Sequence, residues 1–201
     1  MKRILSIGIL LLGAAFISQA KVQLAPVFAD NMVLQQQTDA AVWGKAEPGV
    51  KITITTTWSK AKTVVTAGQD GKWSARVATP AAGGPYEITF NDGDKVTLKN
   101  VLIGEVWVCL GQSNMEMPVC GFMNQPVDGC ADAGQPVDGA TDLILGAKPS
   151  VPIRSCKFTR TKALEPQDSC EVKWYMNNPE GVAEASATAY MFAKRLYDVL
   201  G

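Results

Sequence analysis

Residues 101–115 read VLIGEVWVCLGQSNM, and the hydrophobic pattern of the chain changes within this stretch. Two nearly continuous apolar runs, 101–103 and 106–110, are separated only by Gly104 and Glu105. A strand that is buried on both faces, as in a parallel sheet covered by helices, has this pattern. The stretch therefore predicts the opening of an α/β layer, with Cys109 in its core.

Upstream of residue 101, apolar residues recur with a period of two. Val50, Ile52 and Ile54 alternate with polar residues, which is typical of a strand with one buried face. Three more segments of this kind follow glycine-containing turns, and their apolar positions are Trp73, Ala75 and Val77, then Tyr86, Ile88 and Phe90, then Val96 and Leu98. Short strands joined by tight turns predict an antiparallel β-sandwich over residues 21–100.

Downstream, the sequence predicts a strand from Ile153 to Phe158 and a helix near residue 201. Asn178 and Pro179 fit the cap and first turn of that helix, and Gly201 fits its end. Its apolar stripe has helical spacing and consists of Ala185, Ala189, Phe192, Leu196 and Val199. A sheet of two strands cannot cover its own faces. The predicted fold class is therefore α+β in two parts: a sandwich, then the first part of an α/β domain over residues 101–201, incomplete at its C-terminal end.

Residues 1–20 have the pattern of a signal peptide. Lys2 and Arg3 precede an apolar run from Ile4 to Ile17, and Ala20 ends a fitting cleavage site. The run is shorter than the roughly 20 residues that span a bilayer. We therefore expect export to the periplasm or the cell exterior. Without the leader, 17 basic residues face 19 acidic ones, which disfavours nucleic acid or an anionic membrane as a partner.

All five cysteines lie beyond residue 100. Cys120, Cys130 and Cys170 stand in loop-like sequence and are predicted disulfide partners in an oxidising compartment. The cysteine spacing does not fit zinc knuckles, and histidine is absent, so the sequence predicts no metal and no cofactor. Residues 124–129 (NQPVDG) are echoed at 134–139 (GQPVDG), which predicts a duplicated surface loop.

The five tryptophans could include a platform on which a sugar ring stacks. Aromatic residues within strand patterns more often belong to the core. We therefore expect Trp73 and Trp107 to be buried, and leave Trp58 and Trp174 open.

Ser113 directly follows the second apolar run, where doubly wound α/β enzymes place catalytic groups. An isolated turn serine is most often a capping residue, and Met115 does not fit the Gly-x-Ser-x-Gly elbow of α/β-hydrolases. However, residues 98–118 (LKNVLIGEVWVCLGQSNMEMP) resemble the nucleophile block of the sialate O-acetylesterase family of SGNH hydrolases. Other blocks resemble that family's leading β domain and a later helix, in order: 29–35 (ADNMVLQ), 42–44 (VWG), 48–49 (PG), 70–73 (DGKW), 83–86 (GGPY) and 186–190 (SATAY).

This resemblance implies that Ser113 is the nucleophile for the acetyl carbonyl of an O-acetylated sugar, commonly sialic acid, and that its backbone N–H is an oxyanion donor. A serine needs a base, normally histidine, and a carboxylate that orients the base. The chain contains no histidine, and the family's aspartate and histidine lie C-terminal to the matched region. Glu116 is a feeble base and fits better as a first-turn carboxylate at a helix N-terminus. We therefore expect very low activity from these 201 residues alone.

Three explanations of the missing machinery stay open at this point. In the first, the coding frame continues past Gly201. In the second, another chain supplies the C-terminal half. In the third, the protein is a noncatalytic carbohydrate-binding or interaction module with a relic serine. The sequence does not decide which acetylated sugar is the substrate.

Overall fold

The computed structural model describes residues 21–122, 139–165, 167 and 169–201. The predicted signal peptide and residues 124–138 of the predicted duplicated loop, including Cys130, lie outside the described residues. The described chain is an α+β protein built mostly of strands. Its strands are β1 (Gln23–Leu24), β2 (Val33–Gln35), β3 (Asp39–Lys45), β4 (Lys51–Thr56), β5 (Lys62–Thr66), β6 (Lys72–Ala78), β7 (Gly83–Asn91), β8 (Lys95–Gly104), β9 (Arg154–Phe158) and β10 (Val172–Met176). Its helices are α1 (Ser113–Glu116), α2 (Ala140–Leu145), α3 (Pro179–Glu184) and α4 (Ala187–Leu200).

The first eight strands form two sheets around one apolar core. The sheets have the strand orders β1-β3-β6 and β2-β8-β7-β4-β5, and every neighbouring pair is antiparallel except β2 and β8. Alternate strand residues point inward, as the period of two predicts. Trp73 is 3% exposed, which confirms its predicted place in the core. The most deeply buried inward positions include Val42, Ile52, Ile54, Ile88 and Phe90.

The apolar run 101–103 belongs to this first core. It is the second half of β8, which pairs antiparallel with β7 and parallel with β2. Val101 and Ile103 are buried, whereas Leu102 between them is half-buried. The run therefore completes the five-stranded sheet and does not open a new layer, because a strand already present upstream, β2, pairs with it.

The second apolar run, 106–110, is not a strand and is not buried. Residues 105–110 have no regular structure, and Trp107, Val108 and Leu110 are 60%, 80% and 84% exposed. Cys109 is also exposed, so the predictions of a core cysteine and a buried Trp107 are wrong. The physical reason is the lack of a partner: no strand among the described residues pairs with this segment, and an unpaired strand leaves its N–H and C=O groups unsatisfied.

A second, smaller core lies among the helices and the β9–β10 hairpin. Its buried members are Val119, Ala140, Ala147, Val182, Ala185, Ala187 and Tyr190. The Tyr190 hydroxyl donates to Asn177 Oδ1 at 2.8 Å, and Asn177 Nδ2 donates to the carbonyl of Lys148 at 2.9 Å. These bonds satisfy the polar side-chain atoms of the buried Tyr190 and Asn177. The predicted strand near Ile153–Phe158 is confirmed as β9.

The single predicted C-terminal helix is divided into α3 and α4. Asn178 caps α3 by accepting a hydrogen bond from Gly181 N, and Pro179 is its first residue, as predicted. The division follows from a second cap: Ala185 is extended, and Ser186 Oγ accepts from Ala189 N at 3.3 Å to begin α4. No helix in the described part of the chain is long and apolar enough to cross a membrane.

Candidate active site

The candidate serine stands at a tight turn between the exposed apolar segment and α1. Ser113 is the first residue of α1 and is exposed, and its carbonyl accepts from Met117 N at 2.9 Å. A Cβ on Gly111 would lie 2.8 Å from Met115 Cβ. Glycine is therefore required where the chain folds back against its own next turn.

The start of α4 holds this turn in place. Thr188 Oγ1 donates to the carbonyl of Asn114 at 3.1 Å, Ser186 Oγ lies 3.3 Å from Met115 Sδ, and Ala187 N donates to the carbonyl of Met117 at 2.9 Å. Two sequence blocks that resemble the same family, 98–118 and 186–190, are thus in direct contact. Their pairing gives a physical reason for finding both motifs in one chain.

Ser113 occupies the first position of α1. The first N–H groups of a helix have no intrahelical acceptor, and the Ser113 N–H is one of them. Within the described part of the chain, no side chain forms a hydrogen bond with Ser113 Oγ. An isolated serine hydroxyl is a weak nucleophile.

The only carboxylate of α1 is turned toward a cation. Glu116 lies in the first turn, as predicted, and its Oε2 accepts from Arg160 Nη1 at 3.0 Å. The pair is exposed, so it contributes little to stability. Because the carboxylate is directed to Arg160, it is not placed as a base for Ser113. The sequence contained no signal for this contact, since the two residues are 44 positions apart.

The other reactive side chains are not assembled into a site. No group of three or more metal-ligating side chains occurs among the described residues. Cys120 and Cys170, two of the predicted disulfide partners, carry free thiols, so the prediction of disulfides at these two positions is wrong. Cys156 lies opposite Trp174 in the β9–β10 register. Burial, and secondarily the neighbouring Cys170, raise the pKa of the Cys156 thiol to about 11.

The two tryptophans left open by the sequence both have structural partners. Trp58 packs edge-on against Tyr86 and donates its Nε1–H to the carbonyl of Ala78 at 3.0 Å. Trp174 donates to the carbonyl of Val27 at 2.8 Å and links the β9–β10 hairpin to the sandwich. Trp107 alone combines strong exposure with a position near the serine segment, and it packs edge-on against Phe192 of α4.

Comparison with known proteins places these features in context. No family model matches the chain. The chain is 30% identical to the sialate O-acetylesterase of Pongo abelii and 28% identical to that of Homo sapiens, in each case over 85% of this chain and 33% of the relative. It also resembles the crystal structure of a carbohydrate acetylesterase from Xanthomonas citri, with a TM-score of 0.77, 27% identity, and coverage of 90% of this chain and 38% of that one.

These matches confirm the resemblance predicted from the sequence. The chain spans about a third of the length of the curated relatives that it matches. Over the matched region, this chain is similar in sequence and in fold to proteins that are named as acetylesterases of sugars.

Proposed function

We propose that this relative of the sialate O-acetylesterases is the serine-bearing part of a carbohydrate O-acetylesterase, with Ser113 as its nucleophile. The observation that carries the proposal is the placement of Ser113 at the start of α1, on a glycine turn held by the 186–190 block. The relatives and the Xanthomonas citri enzyme support the same reaction class, the hydrolysis of acetyl esters on sugars.

In the proposed reaction, Ser113 Oγ attacks the carbonyl carbon of the acetyl ester. The bond to the sugar oxygen breaks, the sugar leaves with a proton, and water then hydrolyses the acetyl-enzyme. The Ser113 N–H stabilises the negative oxygen of each tetrahedral intermediate. Because the chain has no histidine, the base that takes the serine proton comes from polypeptide outside these 201 residues.

The apolar side chains beside Ser113 form the surface on which that polypeptide would pack. Val108 and Leu110 are more than three-quarters exposed, and Phe192 and Val199 on the predicted apolar stripe of α4 are 40% and 61% exposed. In this proposal, the sandwich domain extends to the end of β8 at Gly104, beyond the predicted boundary at residue 100, and the rest of the chain to residue 201 forms the first part of an SGNH-type α/β domain. The missing part follows in the same chain or comes as a second chain.

We also propose that the protein is exported, because residues 1–20 have the pattern of a signal peptide. Its site of action would then be the periplasm or the cell exterior. Edman sequencing of the exported natural protein should begin at Lys21, and an unprocessed N-terminus would contradict the proposal.

The first experiment isolates the natural protein and measures its size under denaturing conditions, with and without reductant. Reaction with a serine-directed fluorophosphonate, followed by peptide mapping, then identifies the reactive residue. We expect a natural species containing additional polypeptide, with rapid labelling at Ser113. The Ser113→Ala variant should lose acetylesterase activity, whereas Ser74→Ala, an exposed serine on β6, should retain it.

The isolated 201-residue chain provides the complementary measurement. We expect its labelling to be at least about a thousandfold slower, since loss of triad members costs catalysis on this scale. Rapid labelling of Ser113 in the isolated chain would contradict the need for an outside base. A natural species of only this size, lacking activity, would favour a noncatalytic carbohydrate-binding module.

A further inference from the structure

The outer face of the five-stranded sheet carries a shallow polar depression that the proposed esterase reaction does not use. Its volume is about 420 Å³, and it is open to solvent. Ser113 does not line it. The lining side chains come from four neighbouring strands and are Thr53, Thr55, Lys62, Thr89, Asn91, Lys95 and Thr97.

The strand register arranges these residues in two straight rows across the sheet. In the first row, Thr55 stands between Lys62 and Thr89, and Thr97 follows Thr89. In the second row, Asn91 stands between Thr53 and Lys95. The rows point away from the core because the alternate residues, such as Ile54 and Phe90, point into it.

The two rows present a dense set of hydrogen-bonding groups. Thr89 Oγ1 and Thr97 Oγ1 lie 2.9 Å apart and share one hydrogen bond, which leaves further donor and acceptor capacity directed outward. Asn91 adds an amide to the second row, although its Oδ1 accepts from Gly93 N. Hydroxyl and amide groups at regular spacing match the hydroxyl groups of a sugar chain.

The charge of the depression has one sign. Among the described residues, Lys62 and Lys95 are the only charged ones that line it, and both are exposed. They stand on β5 and β8, three strand spacings of about 4.8 Å apart, and in adjacent rows about 7 Å apart along the strands, so their backbone positions are roughly 16 Å apart. The nearest strand carboxylate on this face is Glu87, which precedes Thr89 by two positions and does not line the depression.

An apolar contact is available at the edge of the second row. Val64 stands opposite Thr53 and is 60% exposed. Sugar rings have C–H faces that pack on such side chains. No aromatic side chain lines the depression, so it offers no platform on which nucleic-acid bases could stack.

We propose that this face binds a carboxylate-bearing oligosaccharide of two or more sugars. The threonine hydroxyls and the Asn91 amide bind the sugar hydroxyls, and Lys62 and Lys95 pair with carboxylates at opposite ends of the oligosaccharide. The surface would hold an acidic glycan independently of the chemistry at Ser113, so its test does not depend on the proposed esterase function.

The test uses the full chain and a matched pair of probes, trigalacturonic acid and its methyl ester, in isothermal titration calorimetry. The two probes share the same sugar backbone and differ in charge. We expect the acid to bind and the methyl ester to bind at least about tenfold more weakly. The double variant Lys62→Gln/Lys95→Gln should weaken binding of the acid by about three- to thirtyfold, the scale of two exposed ion pairs.

The control variant Lys21→Gln/Lys162→Gln removes the same net charge from positions outside the depression and should leave binding of the acid unchanged. Thr89→Val/Thr97→Val, which keeps the side-chain shape, should weaken binding of both probes. Three outcomes would overturn the proposal: no binding of the acid, equal loss in the control variant, or equally tight binding of a DNA duplex.

Discussion

The sandwich and the serine-bearing segment follow opposite rules of burial in the same chain. In the sandwich, the apolar positions of the period-two pattern are buried, with Ile52, Ile88 and Phe90 inaccessible to solvent. In residues 106–110, an equally apolar pattern is exposed, with Val108 and Leu110 largely in solvent. The two regions differ in the presence of a partner: β4, β7 and β8 pair with one another, and no described strand pairs with 106–110.

This difference shows what a hydrophobic pattern encodes. The pattern indicates which residues of a segment are buried when its partner strands are present. It does not indicate whether those partner strands belong to the same chain. In the proposed function, the exposed side chains beside Ser113 are the surface on which further polypeptide would pack. Four measurements test this contrast.

The largest effect should come from the sandwich core. Phe90→Ala removes a fully buried ring and should lower the free energy of unfolding by about 3–5 kcal/mol. Trp107→Ala removes a larger but mostly exposed side chain and should cost less than about 1 kcal/mol. Urea unfolding followed by circular dichroism measures both, and equal losses would mean that the segment is buried after all.

Thiol reactivity should separate the two environments next. Because the pKa of Cys156 is raised to about 11, only ~0.1% of this thiol is ionised at pH 8. Iodoacetamide should therefore alkylate the exposed Cys109 about a hundredfold faster than Cys156, as followed by mass spectrometry of peptides.

The alkylation rate of Cys156 should rise about tenfold per pH unit from pH 8 to 10, since the thiolate forms as pH approaches the raised pKa. Equal rates in the folded protein would refute the contrast; in urea the difference should vanish.

The second core should show an intermediate effect. Tyr190→Phe removes the donor to the buried Asn177 side chain and should cost about 1–3 kcal/mol. Tyr197→Phe on the same helix is the matched control and should cost less than about 0.5 kcal/mol. An unchanged unfolding midpoint for Tyr190→Phe would show that the small core is not a cooperative unit.

The smallest effect in this chain should come from Val108→Ser. Because Val108 is 80% exposed, the free energy of unfolding should change by less than about 0.5 kcal/mol. In a natural protein that carries the additional polypeptide, the same substitution should cost about 1–3 kcal/mol, since the hydroxyl would then be buried. An equally small effect in both forms would show that this surface packs against nothing.

The sequence predicted the fold best where a strand has one buried and one exposed face. The strands β4, β6, β7 and β8 were predicted from this alternation, both where the partner is the next strand, as for β4 with β5 and β7 with β8, and where it lies further away, as for β6 with β3. The division of the C-terminal helix was missed, although Ser186 was a cap signal within the helical pattern. The prediction that Cys109 and Trp107 are buried was wrong, because no described strand pairs with their segment.

The candidate site was predicted only at the level of local motifs. Ser113 and the 186–190 block were each recognised from short patterns, but the bonds that join the block to the neighbouring Asn114 and Met115 span more than 70 positions. The Glu116–Arg160 pair likewise depends on the path of the chain from α1 to β9. Sequence spacing carries no information on such long-range contacts without the fold.

The segment 105–112 is tethered at both ends, and this has a consequence for how the site would assemble. On one side it continues β8, and on the other it enters α1, which is bonded to α4. Both ends of this loop are therefore already held in place, and the entropy loss of bringing them together has already occurred within this chain. An incoming strand would have to order only the internal torsions of a few residues. The added strand would then pair with this segment one residue after another. The rate of assembly would be set by formation of the first contact, because the segment would not have to search many conformations.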